Sequence, residues 1–197
     1  MRATLDKLIS GTGLLLAAVL LVAGGLLTWA ATFANDQVHD QLAMQGITIP
    51  AKAALETKAQ HNALDKYAGQ QMTTGAQAKA FADHYILVHM NAAGGGKTYE
   101  EVSGEFIQLS DEQKASPEGQ QLGQLRQTLF MGNTLRGLLL NAYAFGKLAT
   151  IASYAAIASF VGAGLLFVLG IVGLIHAKRA RESAAVAAAK VGTPITA

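Results

Sequence analysis

The residues best placed to do chemistry are few and mostly close together: Asp83, His84 and His89, then the run GGGKT at 94–98, and further on Arg136. A loop ending in GKT can surround phosphates with its backbone amides, but it needs a glycine separated from that GKT by four residues and a strand leading into it. Asn91 stands at that position and the preceding residues read as a helix, so the glycines are better explained as a helix stop. Two histidines and an aspartate suggest a metal. On one helix, however, a spacing of five residues turns the rings roughly 140° apart, whereas a shared ion wants spacings of three or four. Phe81, Tyr85, Val88 and Ala92 then form an apolar stripe with His84 and His89 on its borders, and Lys79 and Asp83 face water on the other side. Arg136 shares a helix face with Leu122, Leu125, Leu129 and Gly132, so its charge needs a partner: a carboxylate of the same domain, a lipid headgroup or another subunit. Phe81, His84, Tyr85, His89 and Arg136 are therefore the candidate interaction residues. No catalytic residue, metal ligand or cofactor-binding residue is assigned.

The elements that carry these residues are helical. From Asn35 to Lys147 there is neither strict alternation nor a long β-branched run, and Ala, Gln, Leu and Lys dominate. Thr74 with Gln77, Thr98 with Glu101 and Ser110 with Gln113 each fit a capping box. Ser116 ahead of Pro117 and Glu118 marks another helix start. The helix beginning near Gly75 is expected to end at residues 94–96. The stretch QGITIPAKAAL, with Pro50, reads as a turn or extended edge. From Pro117 no proline intervenes before Pro194, so the last helix is expected to run on without a break, with Gly132, Gly137 and Gly146 as its weak points.

Two stretches lack any charge, one between Lys7 and Asp36 and one between Lys147 and Lys178. Each exceeds the roughly 20 apolar residues that cross a hydrocarbon core. The first is also far longer than the apolar core of a cleaved secretory signal, about 7 to 15 residues. The expected organisation is a cytoplasmic N-terminus (1–7), a transmembrane helix (8–34), an extracytoplasmic helical domain (35–147), a second transmembrane helix (148–177) and a cytoplasmic tail (178–197). The fold class is thus an all-α membrane protein, with two transmembrane helices flanking a helical extracytoplasmic domain. Arg2 and Lys7 ahead of the first span, and Lys178, Arg179 and Arg181 after the second, place both termini in the cytoplasm of a two-pass plasma-membrane protein. Ala155, Ser159 and Ala163, four apart, and the Gly24–Gly25 pair allow close helix approach. His176 falls at the membrane interface, and the tail beyond it reads as a frayed helix end followed by disorder.

Between Asp36 and Lys147 there are nine Lys and Arg against eleven Asp and Glu, so the basic excess lies at the two ends. No basic patch interleaved with aromatics is present, which argues against nucleic acid as a partner. The chain contains no cysteine, so disulfides, thiolate metal sites and cysteine nucleophiles are excluded. The expected partners are the lipid bilayer and other membrane or envelope proteins.

The segments YAGQQMTTGAQAKAFADHYILVHM (67–90), GGKTYEEVS (95–103) and LRQTLFMGNTLRGLLLNAYAFG (125–146) resemble a group of actinobacterial two-span envelope proteins. Members of that group often carry the label aromatic ring-opening dioxygenase LigA. The label would imply the small helical subunit of an extradiol dioxygenase, whose partner subunit supplies the iron ligands. No residue here would inherit a catalytic role from it, and the two spans depart from that soluble enzyme. In size and layout the chain is also similar to a small accessory membrane subunit of the actinobacterial cytochrome bcc and oxidase supercomplex.

Overall fold

The computed structural model describes residues 2–191, with side chains over 4–186. The disorder expected at the end of the chain lies outside the described residues. In order, the helices are α1 (Arg2–Met44), α2 (Lys58–Leu64), α3 (Gly75–Phe81), a π-turn (Ala82–Ile86), α4 (Leu87–Gly94), α5 (Tyr99–Ile107), α6 (Asp111–Ala115) and α7 (Pro117–Val191). Among the described residues no strand forms; the nearest thing to one is an isolated antiparallel bridge between Thr48 and Gln71. The stretch around Pro50 is extended, as expected, and Met72 N–H donates to the Ile47 carbonyl at 2.8 Å.

The chain divides into two compact units, Met1–Ala31 with Thr150–Ala197, and Thr32–Ala149. In the first unit the buried positions recur every seven residues. Ser10, Ala17, Gly24 and Ala31 lie on one helix, and Ala156, Ala163, Gly170 and Ala177 on the other. A sustained 3.5-residue repeat keeps one face of each helix on its partner and imposes a left-handed supercoil. The glycines of the seam leave room for side chains of the partner helix. A Cβ on Gly24 would sit 2.9 Å from the Phe160 ring, and one on Gly170 2.8 Å from the Leu14 side chain. This differs from the four-residue spacing expected from the sequence. Ala163 and Gly24 lie in the seam and Ser159 beside it, whereas Gly25 faces outward with nothing near it. Two hydroxyls of this unit are satisfied locally: Thr28 donates to the Gly24 carbonyl and Ser159 to the Ala155 carbonyl, each at 2.8 Å. His176 lies 4.0 Å from Asp6. Both helices are long and apolar enough to cross a membrane, and the most apolar window of each is only 17% buried.

The second unit is built on the part of α7 it contains. Its main core gathers Val38, Leu42, Ile49, Leu64, Met72, Phe81 and Leu139, and a smaller cluster joins Met90, Val102 and Leu129. The three expected capping boxes all form, with Thr74, Thr98 and Ser110 accepting from the amides of Gln77, Glu101 and Gln113. Ser116 accepts from Gly119 N–H at the start of α7. A fourth box, Thr57 with Gln60, starts α2 and was not anticipated. Gly95, at a φ of 59°, ends α4 as the glycine run predicts.

Unbroken helix runs through all three glycines expected to weaken α7. Two of them serve close packing: Met90 lies against Gly132, and Gly146 faces the backbone of Gly75. Gly75 itself has no room for a side chain, because a Cβ there would lie 2.9 Å from both the Ala142 oxygen and Tyr143 Cα. Gly104, inside α5, has open space around its would-be Cβ. Gly104→Ala should accordingly raise stability by about 0.5–1 kcal/mol through helix propensity. Gly75→Ala should lower it by roughly 1–3 kcal/mol through overpacking against backbone. Chemical denaturation of the two variants, followed by helical circular dichroism, reads both signs.

Candidate interaction site at the π-turn

Between α3 and α4 the helix widens for one turn, where Leu87 N–H reaches back to the Ala82 carbonyl five residues earlier. Such a turn takes in one residue more than a regular one, so everything beyond it lags by roughly 100°. That lag explains one departure from the sequence expectation. The core-facing row becomes Ala78, Ala82, Ile86, Met90 and Gly94, while Ala92 is exposed and drops out of the expected stripe with Phe81 and Tyr85. Asp83, expected on the wet side, instead turns toward α7.

There Asp83 meets Arg136. The guanidinium Nη2 donates to Asp83 Oδ1 at 2.9 Å, and Lys79 Nζ donates to Oδ2 at 2.5 Å. The Arg136 and Asp83 side chains are only 29% and 21% exposed, so water screens this pair less than an ordinary surface bridge. The hydrogen bond from Lys79, opposed in part by burial and joined by that from Arg136, holds the Asp83 carboxyl below its ordinary range. Of the partners open to Arg136 from its sequence, the structure supplies the carboxylate of its own domain. Arg136 Nε is buried without a hydrogen-bond partner, as is Gln60 Nε2.

Phe81, Tyr85 and His89 form a ladder of rings. Phe81 and Tyr85 stack at 4.8 Å between centroids, and His89 tilts against Tyr85 at 4.2 Å. His89 Nδ1 lies 2.8 Å from the Tyr85 carbonyl. A carbonyl can only accept, so Nδ1 is the donor in this contact. His84 is half-buried on the π-turn and does not join this ladder. Among the described residues no three His, Asp or Glu side chains converge as metal ligands would.

The GGGKT run is likewise absorbed by structure. Lys97 pairs with Glu105 at 2.6 Å, and Thr98 opens the capping box of α5. The hydrogen bond from the Thr98 amide to Glu101 holds that carboxyl below its ordinary range.

Two features of this unit had no signal in the sequence reading. Arg126 donates to the buried Ser103 hydroxyl at 3.0 Å and lies over the Phe106 ring, beside a hollow of about 240 Å³ that Tyr99 and Phe130 also line. A second groove, of about 340 Å³, runs between the 33–45 stretch of α1 and the 138–145 stretch of α7. Its floor is Val38 and Leu42, and its walls carry Gln37, Gln41, Gln45 and Asn141. The regular four-residue spacing of the three glutamines is visible in the sequence; the approach of Asn141 to them is not.

The Asp83 cluster makes stability depend on pH with a definite sign. Its carboxylate is favoured by the fold, so the stabilisation is fully present above the ordinary Asp value, about 3.9, and is lost as pH falls through the lower folded value. Asp83→Asn should cost on the order of 1–3 kcal/mol near pH 6, where it leaves Arg136 without its counter-charge, and should flatten the loss of stability between about pH 4 and pH 2. Denaturation midpoints at a series of pH values, for wild type and Asp83→Asn, check both parts. Comparison of the chain with protein-family models, curated proteins and solved structures finds no match, so the functional reading rests on its own residues.

Proposed function

We propose that the chain is a two-pass plasma-membrane protein without catalytic activity, whose outer helical domain binds a partner in the cell envelope, as an accessory subunit of a respiratory assembly would. The observation that carries this reading is the pair of charge-free helices with bulky side chains outward. Val22, Trp29, Phe167 and Leu169 are each more than half exposed, while the seam holds alanine, glycine and serine. Core helices of a soluble protein bury such residues, and water is a poor solvent for two helices dressed this way. Basic residues flank both stretches on the side of the chain ends, which favours cytoplasmic termini and an exported middle.

Partner binding is supported by apolar surface on the second unit far along the sequence from the charge-free stretches. Phe130 and Met131 are about half exposed on α7, and Tyr99 lies 5.7 Å from the Phe130 ring. With Arg126 alongside, this is the aromatic and arginine composition found at the centres of protein interfaces.

The absence of native cysteine makes topology directly testable. A cysteine at exposed Asp111 should react with a membrane-impermeant maleimide in intact cells, and one at exposed Ser183 only after permeabilisation. The opposite labelling pattern, or release of the chain by alkaline carbonate, would overturn the membrane reading. In mild detergent, wild type should co-purify with envelope proteins. Phe130→Ala combined with Met131→Ala should reduce that recovery at least about tenfold, the effect of losing an anchor contact of about 1.4 kcal/mol. Undiminished recovery would remove this patch from the interface.

A further inference from the structure

The groove between the 33–45 stretch of α1 and the 138–145 stretch of α7 has an unusual lining for a membrane-proximal hollow: it contains no ionisable side chain. Asp36, His39 and Asp40 lie on the same stretch of α1, yet none of them lines it. What it offers instead is carboxamide. Gln37, Gln41 and Gln45 follow one another at four-residue intervals, and Asn141 faces them from α7. Each amide presents donors and an acceptor without net charge. The Gln41 amide donates to Gln37 Oε1 at a long 3.3 Å, which leaves most of the set's hydrogen-bonding capacity unused within the protein.

Polarity changes along the groove. Phe33 and Phe145 are about half exposed in its lining. Phe33 sits just inside the first charge-free stretch, which ends at Asp36, and Phe145 just outside the second, which begins after Lys147. On the two-pass reading, on which this inference rests, both rings fall where hydrocarbon gives way to headgroups, the depth favoured by aromatic side chains. A charged headgroup entering there would shed water without meeting a counter-ion. A neutral one bearing ester carbonyls and a hydroxyl would find donors and acceptors matched to it. A volume of about 340 Å³ admits such a head with the first part of its chains, in the size range of ordinary ligand sites.

We infer that this groove binds an uncharged glycerolipid, its ester and hydroxyl groups on the four carboxamides and its chains leaving past Phe33 and Phe145. The test uses the full chain, delipidated in mild detergent and examined by native mass spectrometry with two probes of matched chains: dioleoylglycerol, neutral, and dioleoylphosphatidylglycerol, anionic. Wild type should retain the neutral lipid at least about fivefold better than the anionic one. Gln41→Leu combined with Asn141→Leu, which keeps the apolar volume but removes two carboxamides, should abolish that preference; Gln70→Leu, outside the groove, should preserve it. Circular dichroism confirms that the variants fold. Equal retention of the two lipids, retention of neither, or a preference unchanged in the double variant would overturn the assignment. Carbonate extraction separates the two possible failures: a chain that stays in the membrane but shows no neutral-lipid preference loses only the groove, whereas a chain released by carbonate loses the two-pass reading beneath it.

Discussion

The second unit depends on one constraint, the register in which the chain from Gly75 onward lies along α7. Gly75 lies against Ala142 and Tyr143, Asp83 on Arg136, Met90 on Gly132, Gly94 on Leu129, and Phe106 against Gly123. As numbers rise on one side they fall on the other, so the contacts descend α7 in sequence. Most pair a glycine with something larger, which is how two helices pack tightly where one supplies no side chain. The ion pair is the exception. It is the second contact of the series, where it fixes rotation as well as distance, because a guanidinium and a carboxylate must meet in a particular geometry.

In the first unit the same economy takes another form. The seam has small residues every seven positions, with Phe160 and Leu14 packed against its glycines and most of the other large residues exposed. In water this arrangement would forfeit most of the hydrophobic gain available to such side chains. In hydrocarbon there is little such gain between helices, and close backbone contact with local hydroxyl bonding is the stabilising principle. The two units thus share a reliance on glycine and alanine at contacts but differ in what surrounds them. The second has a conventional buried core of Leu, Ile, Met and Phe.

Local signals in the sequence proved legible where one or two residues determine the structure. Thr74, Thr98 and Ser110 marked helix starts because a hydroxyl and an amide or carboxylate three residues on satisfy free amides wherever the chain leads next. Residues 94–96 marked a stop because a left-handed backbone there favours glycine. The Thr57 box carries the same signature, a threonine with Gln60 three residues on. The heptad seam was present in the sequence as Ser10, Ala17, Gly24 and Ala31; the four-residue spacing of Ala155, Ser159 and Ala163 reached it at Ala163 and ran beside it at the other two. The π-turn had no such signal. Its residues fit a regular helix as well as a widened one. Arg136 was recognisable as a charge in need of a partner, while the identity of that partner, 53 residues away, was set by tertiary structure.

A widened turn is a reserve of one residue's rotation held inside an otherwise regular helix. Rewinding it to the ordinary pitch would swing Met90 and Gly94 away from Gly132 and Leu129 while leaving Thr74 and Gly75 in place, since the cap lies upstream. At the turn a single carboxylate is gripped from two sides, by Lys79 along its own helix and by Arg136 across from it.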